Sequence, residues 1–325
     1  MASAIVALFI PIVALGVILS AVANLASPTS AASTASGALQ GKTFYVDPEA
    51  KAAIAAAAAA SKGNSVDAAT FGRIADQPTA IWLTPEKHST AEITAYVSAI
   101  EKAATAANQT PIFTVYGVPN RDCGNHSAGG LSATEYPLWV KAIAAGITHQ
   151  NAVIILEPDA LALATQCNNV SERVKEISSD LDIFAPVGAT VYIDAGHSQW
   201  GPAADMAALL NQAGVTKARG FATNVSNYND TAAEQTYAET ISSLTGGAHF
   251  VIDTSRNGRG SNGEWCNPSG RALGAVPSKQ DVATNQDANL WIKPPGESDG
   301  TCNGGPTAGE WWDQSARELA SNAGW

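Results

Sequence analysis

Seven short apolar runs, set apart by stretches of helical period, constrain this chain more than any other feature. They are "TAIWLT" from Thr79, "PIFTVYG" from Pro111, "AVIILEPD" from Ala152, "TVYIDAG" from Thr190, "GFATNV" from Gly220, "HFVIDTS" from His249 and "LWIKPPG" from Leu290. Most are apolar at consecutive positions, as expected of strands covered on both faces. Helical periodicity appears between them in "AEITAYVSAIEKAATAA", "YPLWVKAIAAGI", "SERVKEISSDLDIF" and "AEQTYAETISSL". This alternation predicts a parallel sheet with helices packed outside it. Seven units over roughly 280 residues suit one closed or nearly closed (β/α) barrel in a single domain. A doubly wound open sheet is the alternative, but no GxGxxG follows the first run.

Polar residues gather just past the runs. The second is followed by "VPNRDCGNHSAGG" and the third by Glu157 and Asp159. Asp194, His197 and Trp200 follow the fourth, Asn224 and Asn227 the fifth, and Asp253, Arg256 and Asn257 the sixth. Lys293, Glu297 and Asp299 follow the seventh. In a parallel barrel these positions share one face, where active sites are built. Each also has a plainer reading. Asp159 before "ALALA" could cap a helix, Glu157 could be a structural acceptor at the rim, and Arg121 could pair with Asp122. The functional reading gains because Asp122 and Asp159 follow adjacent strands. Two close carboxylates do not ionise independently, and one is held protonated as an acid.

The five histidines show no metal-ligand spacing, and no GxSxG signals a serine nucleophile. Trp139, Trp311 and Trp312 lie in helix-period segments and read as packing. Trp82, Trp200 and Trp265 stand at strand ends among polar residues, where an indole can stack on the flat face of a sugar ring. Carboxylates, stacking indoles and polar amides together point to glycosidic-bond hydrolysis with no cofactor or metal.

Composition narrows the partners. The chain has 325 residues, 14% of them charged, and a formal net charge of −11. Such a surface is poorly suited to phosphate backbones or anionic lipid, so nucleic acid is excluded, while a neutral sugar is not penalised. The first charged side chain is Lys42. Ahead of it, the apolar "AIVALFIPIVALGVILSAVA" precedes the small, polar "NLASPTSAASTASGALQG". Residues 1–41 therefore read as a signal peptide, or an uncleaved anchor over 2–26, followed by a flexible stretch. Residues 42–325 read as the catalytic domain, delivered outside the cytoplasm, with membrane contact only if the leader is retained. Cys123, Cys167, Cys266 and Cys302 lack CxxC spacing. An even count in an exported chain suggests two disulfides with three possible pairings; pairing of sequence neighbours, Cys123–Cys167 and Cys266–Cys302, is the favoured one.

Two of these stretches, "VYGVPNRDCGNHSAGG" and "IILEPDALA", resemble the signature motifs of glycoside hydrolase family 6, the inverting β-1,4-glucanases. "YIDAGHSQW", "TNVSNY", "WCNPSGRALG" and "WIKPPGESDG" resemble the same family in the expected order. The resemblance implies a distorted seven-stranded α/β barrel and the two sequence-neighbour disulfides. It implies Asp159 as general acid, Asp122 as modulator of its pKa and candidate base, and Asp299 as the other candidate base. A Ser of the loop after "RDC", where Ser127 and Ala128 stand, would hold the attacking water. Tyr116 would crowd the distorted sugar ring. Trp82, Arg121, Asp194, His197, Trp200, Asn227, Trp265, Lys293 and Glu297 would line the substrate cleft. The implied partner is β-1,4-glucan or a cello-oligosaccharide, acted on by a monomer. The short stretches from Asp122 to Asp159 and from Cys266 to Cys302 favour an open cleft and internal cleavage. A cellobiohydrolase and a non-catalytic glucan-binding protein are the alternatives.

Overall fold

The computed structural model describes residues 1–2, 38–124, 127–279 and 284–325. The expected leader falls almost entirely on residues 3–37, outside the described residues. From Ala38 onward the described chain belongs to one compact unit. Leu39 already packs among the strand side chains, so the packed chain starts slightly before Lys42.

The strands are β1 (Ile81–Leu83), β2 (Ile112–Val115), β3 (Val153–Leu156), β4 (Thr190–Asp194), β5 (Gly220–Thr223), β6 (His249–Asp253), β7 (Ser278–Lys279) and β8 (Gln286–Leu290). They are hydrogen-bonded in the order β1-β2-β3-β4-β5-β6-β8-β7. All pairs are parallel except β7–β8. The seven parallel strands curl until Ala80 donates its N–H to the Trp291 carbonyl at 2.9 Å, a parallel bridge joining Thr79 to Trp291. That seam makes a distorted barrel of the sheet and sets aside the doubly wound alternative.

Strand side chains alternate between two cores. Val153 and Ile155 of β3 point inward with Ile112, Tyr192, Val251 and Leu290. Ile154 and Leu156 point outward against the helices, with Phe113, Ile193, Phe221 and Ile252. Apolar burial on both faces explains the unbroken apolar runs. The helices are α1 (Lys51–Ser61), α2 (Ser65–Ala75), α3 (Ile93–Ala106), α4 (Tyr136–Gly146), α5 (Ala160–Ala164), α6 (Val170–Phe184), α7 (Ala203–Ala213), α8 (Thr231–Leu244) and α9 (Asp313–Asn322). α3, α4, α6 and α8 coincide with the predicted helices. α1 and α2 were not anticipated; with α9 they cover Trp291 at the seam.

The seventh parallel strand departs from expectation. It is Gln286–Leu290, and "LWIKPPG" only begins where it ends. Its polar residues are buried because partners await them. Asp287 accepts Tyr192 Oη at 2.6 Å and Arg219 Nε and Nη2 at 2.8 Å. Gln286 Nε2 donates to Asn289 Oδ1 at 2.8 Å. A search for apolar runs cannot see such a strand.

Both predicted disulfides are present, Cys123–Cys167 and Cys266–Cys302. Gly220 marks the tightest strand contact, since a Cβ there would collide with the His249 backbone. Gly220→Ala is expected to destabilise the fold by about 1–3 kcal/mol or more, as overpacking does. Urea unfolding measures this; an unchanged midpoint would show that β5 and β6 can separate freely.

Candidate active site

Three buried carboxylates at strand ends organise the loops on this face. Glu157, just after β3, accepts Gly117 N–H at 2.9 Å and Val118 N–H at 3.1 Å from the loop after β2. Asp194, ending β4, accepts Asp159 N–H at 2.9 Å and Gly196 N–H at 3.0 Å. Asp253, ending β6, accepts Ser226 N–H at 3.1 Å, Ser255 N–H at 3.0 Å, Ile292 N–H at 3.2 Å and Lys293 N–H at 3.0 Å. Each therefore joins its own loop to a neighbouring one. Buried charges need such donors. Glu157 is thus the structural acceptor its position before Pro158 suggested.

The backbone here is bent into the left-handed region at Asp122 (φ 56°), Glu157 (φ 49°), Asp159 (φ 66°), Asn224 (φ 64°) and Ser226 (φ 62°). Such residues cost on the order of 1–3 kcal/mol each and cluster at functional sites. Asp159 precedes α5, but its side chain makes no capping bond. The helix-cap reading therefore fails, and the carboxyl has another environment. Burial first, and then the charges of Asp122 and Asp299, push its pKa up to about 7. The charges of Asp122 and Asp299 thus add to burial in favouring the protonated form of Asp159.

Asp122 opens a short 3₁₀ turn and accepts Ser127 N–H at 2.9 Å. Asp299 is held more tightly. Arg256 Nη1 stands 2.9 Å from its Oδ1, and Lys293 Nζ stands 3.7 Å from the same oxygen. Tyr228 Oη and Asn267 N–H each donate to its Oδ2 at 3.0 Å. Tyr228 and Asn267 went unremarked in the sequence, although both lie within the quoted "TNVSNY" and "WCNPSGRALG" motifs.

Tyr116 is buried beside these acids, with the Trp82 ring 5.2 Å away and nearly perpendicular and the Arg121 guanidinium 4.5 Å above its ring. Arg121 departs from both sequence readings. Its donors reach Glu86 Oε1 at 2.9 Å, the Tyr116 carbonyl at 2.8 Å and the Ser127 carbonyl at 2.9 Å. It pairs with Glu86 rather than Asp122, and its donors tie the loop together. Lys293 is buried with its ammonium 5.7 Å from the Trp82 ring, and Glu297 accepts from Lys51 at 2.7 Å. His197 lies 5.1 Å from Trp200, and burial holds its pKa down at about 4, so it is neutral at pH 7. Asn227 turns its amide to the Val225 carbonyl at 2.9 Å, and Trp265 is 51% exposed beside its disulfide.

Behind Glu157 lies a pairing that the sequence did not suggest. Tyr136 Oη is 2.9 Å from Glu157 Oε1 and 2.6 Å from Asp180 Oδ2. A phenol has one proton, so with both bonds made, one of the two acids carries a proton of its own. Burial raises Asp180 well above the usual carboxylate range and Glu157 to about 7. Asp180 looked like an ordinary polar residue of an amphipathic helix.

The fold and the site together define a parallel (β/α) barrel that gathers carboxyl groups and aromatic rings at the carboxyl ends of its strands. Residues 39–323 match the model for glycosyl hydrolases family 6, and the chain belongs to that family. It is 47% identical over 285 residues to endoglucanase A of Cellulomonas fimi, covering 87% of this chain and 62% of that protein. It is 44% identical over 292 residues to endoglucanase A of Thermobispora bispora, covering 86% and 62%. The chain thus spans less than two thirds of the length of either. The structure of the Mycobacterium tuberculosis endoglucanase Cel6, in complex with methyl-cellobiosyl-4-deoxy-4-thio-β-D-cellobioside, superposes with a TM-score of 0.83 at 45% identity, covering 88% of this chain and 99% of that one.

The Tyr136 triad makes a pH prediction. Unfolded carboxyls release their protons near pH 4, whereas Glu157 and Asp180 hold theirs to higher pH in the fold. Above about pH 4 the folded state therefore binds more protons than the unfolded one, and stability falls as pH rises through the folded pKa values. Asp180→Asn is expected to shrink the drop in Tm between pH 5 and pH 8. An undiminished drop would place the retained proton elsewhere.

Proposed function

We propose that this chain hydrolyses internal β-1,4-glucosidic bonds of glucans with inversion at the anomeric carbon. The observation that carries the proposal is Asp159, whose carboxyl burial, Asp122 and Asp299 hold at a pKa of about 7 on the barrel face where a substrate would lie. Endoglucanase names at 40–47% identity support the glucan substrate and internal cleavage.

In this reading Asp159 gives its proton to the leaving glycosidic oxygen. A water attacks from the opposite face, which requires acid and base to stand roughly 6.5–9.5 Å apart. Asp122 raises the pKa of the acid and receives the water's proton, with Ser127 holding the water. Asp299 is the weaker candidate for base because Arg256, Tyr228 and Asn267 already occupy its oxygens. It serves instead to keep negative charge near Asp159 and the developing oxocarbenium ion. Tyr116 and Trp82 crowd and stack the sugar, Lys293 and Glu297 bind its hydroxyls, and His197 with Trp200 and Asp194 line the leaving-group side. Asn227 and Trp265 contact more distant units.

We further propose that the leader, cleaved as a signal peptide or retained as an anchor, delivers residues 42–325 outside the cytoplasm as a monomeric catalytic domain. Two disulfides support an oxidising compartment. Among the described residues no helix is long and apolar enough to cross a membrane.

Proton NMR of cellopentaose in the first minutes of hydrolysis tests the reaction. The new reducing end is expected as α-anomer; a β-anomer burst means a covalent nucleophile and discards these roles. Mostly cellobiose from a polymeric substrate, with little fall in viscosity, would mean exo cleavage. Asp159→Asn should lower kcat by about 10²–10⁴-fold with glucan binding retained. Parallel loss of binding would make Asp159 structural. Asp122→Asn removes a charge that raises the pKa of Asp159, so the alkaline limb of the pH–activity profile should move to lower pH. A limb that stays in place would assign it to another group.

A further inference from the structure

Trp82 and Glu297 face more than the proposed cleft. Both also line a cavity of about 130 Å³ beside β1, bounded by the start of α1, the end of α2 and the turn after β8. Its size is of the order of one six-membered ring, since a dry cavity of roughly 150 Å³ takes up benzene. None of the roles assigned above uses it.

The lining indicates what would fill it. Lys51 and Lys87 bring two positive charges and Asp47, Glu49 and Glu297 three negative ones, so neither an anion nor a cation is favoured outright. His88 adds no charge near neutrality, because burial lowers its pKa further. Its ring stacks on Tyr96 at 3.8 Å and 18°, making a flat wall. Apolar ring faces set among hydroxyl-bonding groups match a neutral sugar, with its C–H faces and its rim of hydroxyls. The lysines differ in commitment. Lys51 is bound by Glu297 and by the Gly309 carbonyl. The surroundings of Lys87 are largely unfavourable to its charge. Burial lowers its pKa, nearby Lys51 and Lys293 lower it further, and Glu297 is the one charge that opposes them. A sugar hydroxyl oxygen would give that ammonium a further acceptor.

Continuity gives the source of the sugar. The Trp82 ring stands 5.2 Å from that of Tyr116 on one side, where Tyr116 senses the charge of Asp159, and it borders the cavity as well. We propose that the cavity is an additional sugar-binding position at the end of the cleft, taking one glucosyl unit of the same glucan chain whose next units lie over Trp82. This rests on the glucanase reading and adds a length preference to it.

The test compares kcat/KM for cellohexaose and cellotetraose in the wild type, Lys87→Ala and Ala50→Trp. Ala50 lines the cavity just before α1 in an extended conformation that tolerates a large side chain, so the second variant fills the space. The wild type should favour cellohexaose, and that advantage should fall about fivefold to tenfold in both variants, the scale of one net hydrogen bond. An equal preference in all three proteins, or no preference in the wild type, overturns the proposal. A wild type that cleaves neither oligosaccharide overturns the glucanase reading itself, and the two failures are thereby distinguished.

Discussion

Carboxylates buried at the ends of strands hold the working face of this barrel together. Glu157, Asp194 and Asp253 are each almost wholly removed from water. A carboxyl oxygen left unpaired in that position is costly, so each must collect donors. The donors it finds are backbone N–H groups of the neighbouring loops: Gly117 and Val118 for Glu157, Asp159 for Asp194, and Ser226, Ile292 and Lys293 for Asp253. The loops cannot move without leaving a buried carboxyl oxygen unpaired. Satisfying the acids and positioning the site are one arrangement.

The acids beyond this belt have a different environment, and that difference sorts their chemistry. Asp194 holds the N–H of Asp159 and leaves its side chain among other carboxylates. Asp299 is surrounded by cations and donors. One site thus holds a carboxyl whose pKa is raised to about 7 and an ion-paired carboxylate that acts on it electrostatically. Separation of this kind, made by environment, is how two identical functional groups come to play acid and anion. Asp122 and Asp159 both also sit in the left-handed region of the backbone, a strain that clusters at functional sites.

Much of this was legible beforehand, for reasons that can be traced. β2 to β6 announced themselves because both their faces are apolar, and α3, α4, α6 and α8 because each has one apolar side. Asp159 stood out because an apolar run has no reason to end in acid. β8 stayed hidden because its buried Asp287 is paired by Tyr192 and Arg219, which lie far away in the chain. α1 and α2 were missed because their runs of alanine and polar residues show little contrast between faces. Arg121 was misjudged because its partner, Glu86, comes from the loop after a different strand. The Tyr136, Glu157 and Asp180 contact joins a helix, a strand end and a second helix, and no spacing in the sequence reports it.

By itself, then, the sequence determined the alternation of strands and helices, the face on which the polar residues collect, and the identity of the acids collected there. These follow from local patterns, hydrophobic period and residue type, which are written along the chain. Only the tertiary structure decided which acid keeps its proton, which arginine is structural, and where the barrel closes. Those outcomes depend on burial and on charges brought close from distant positions, and both quantities exist only once the chain has folded.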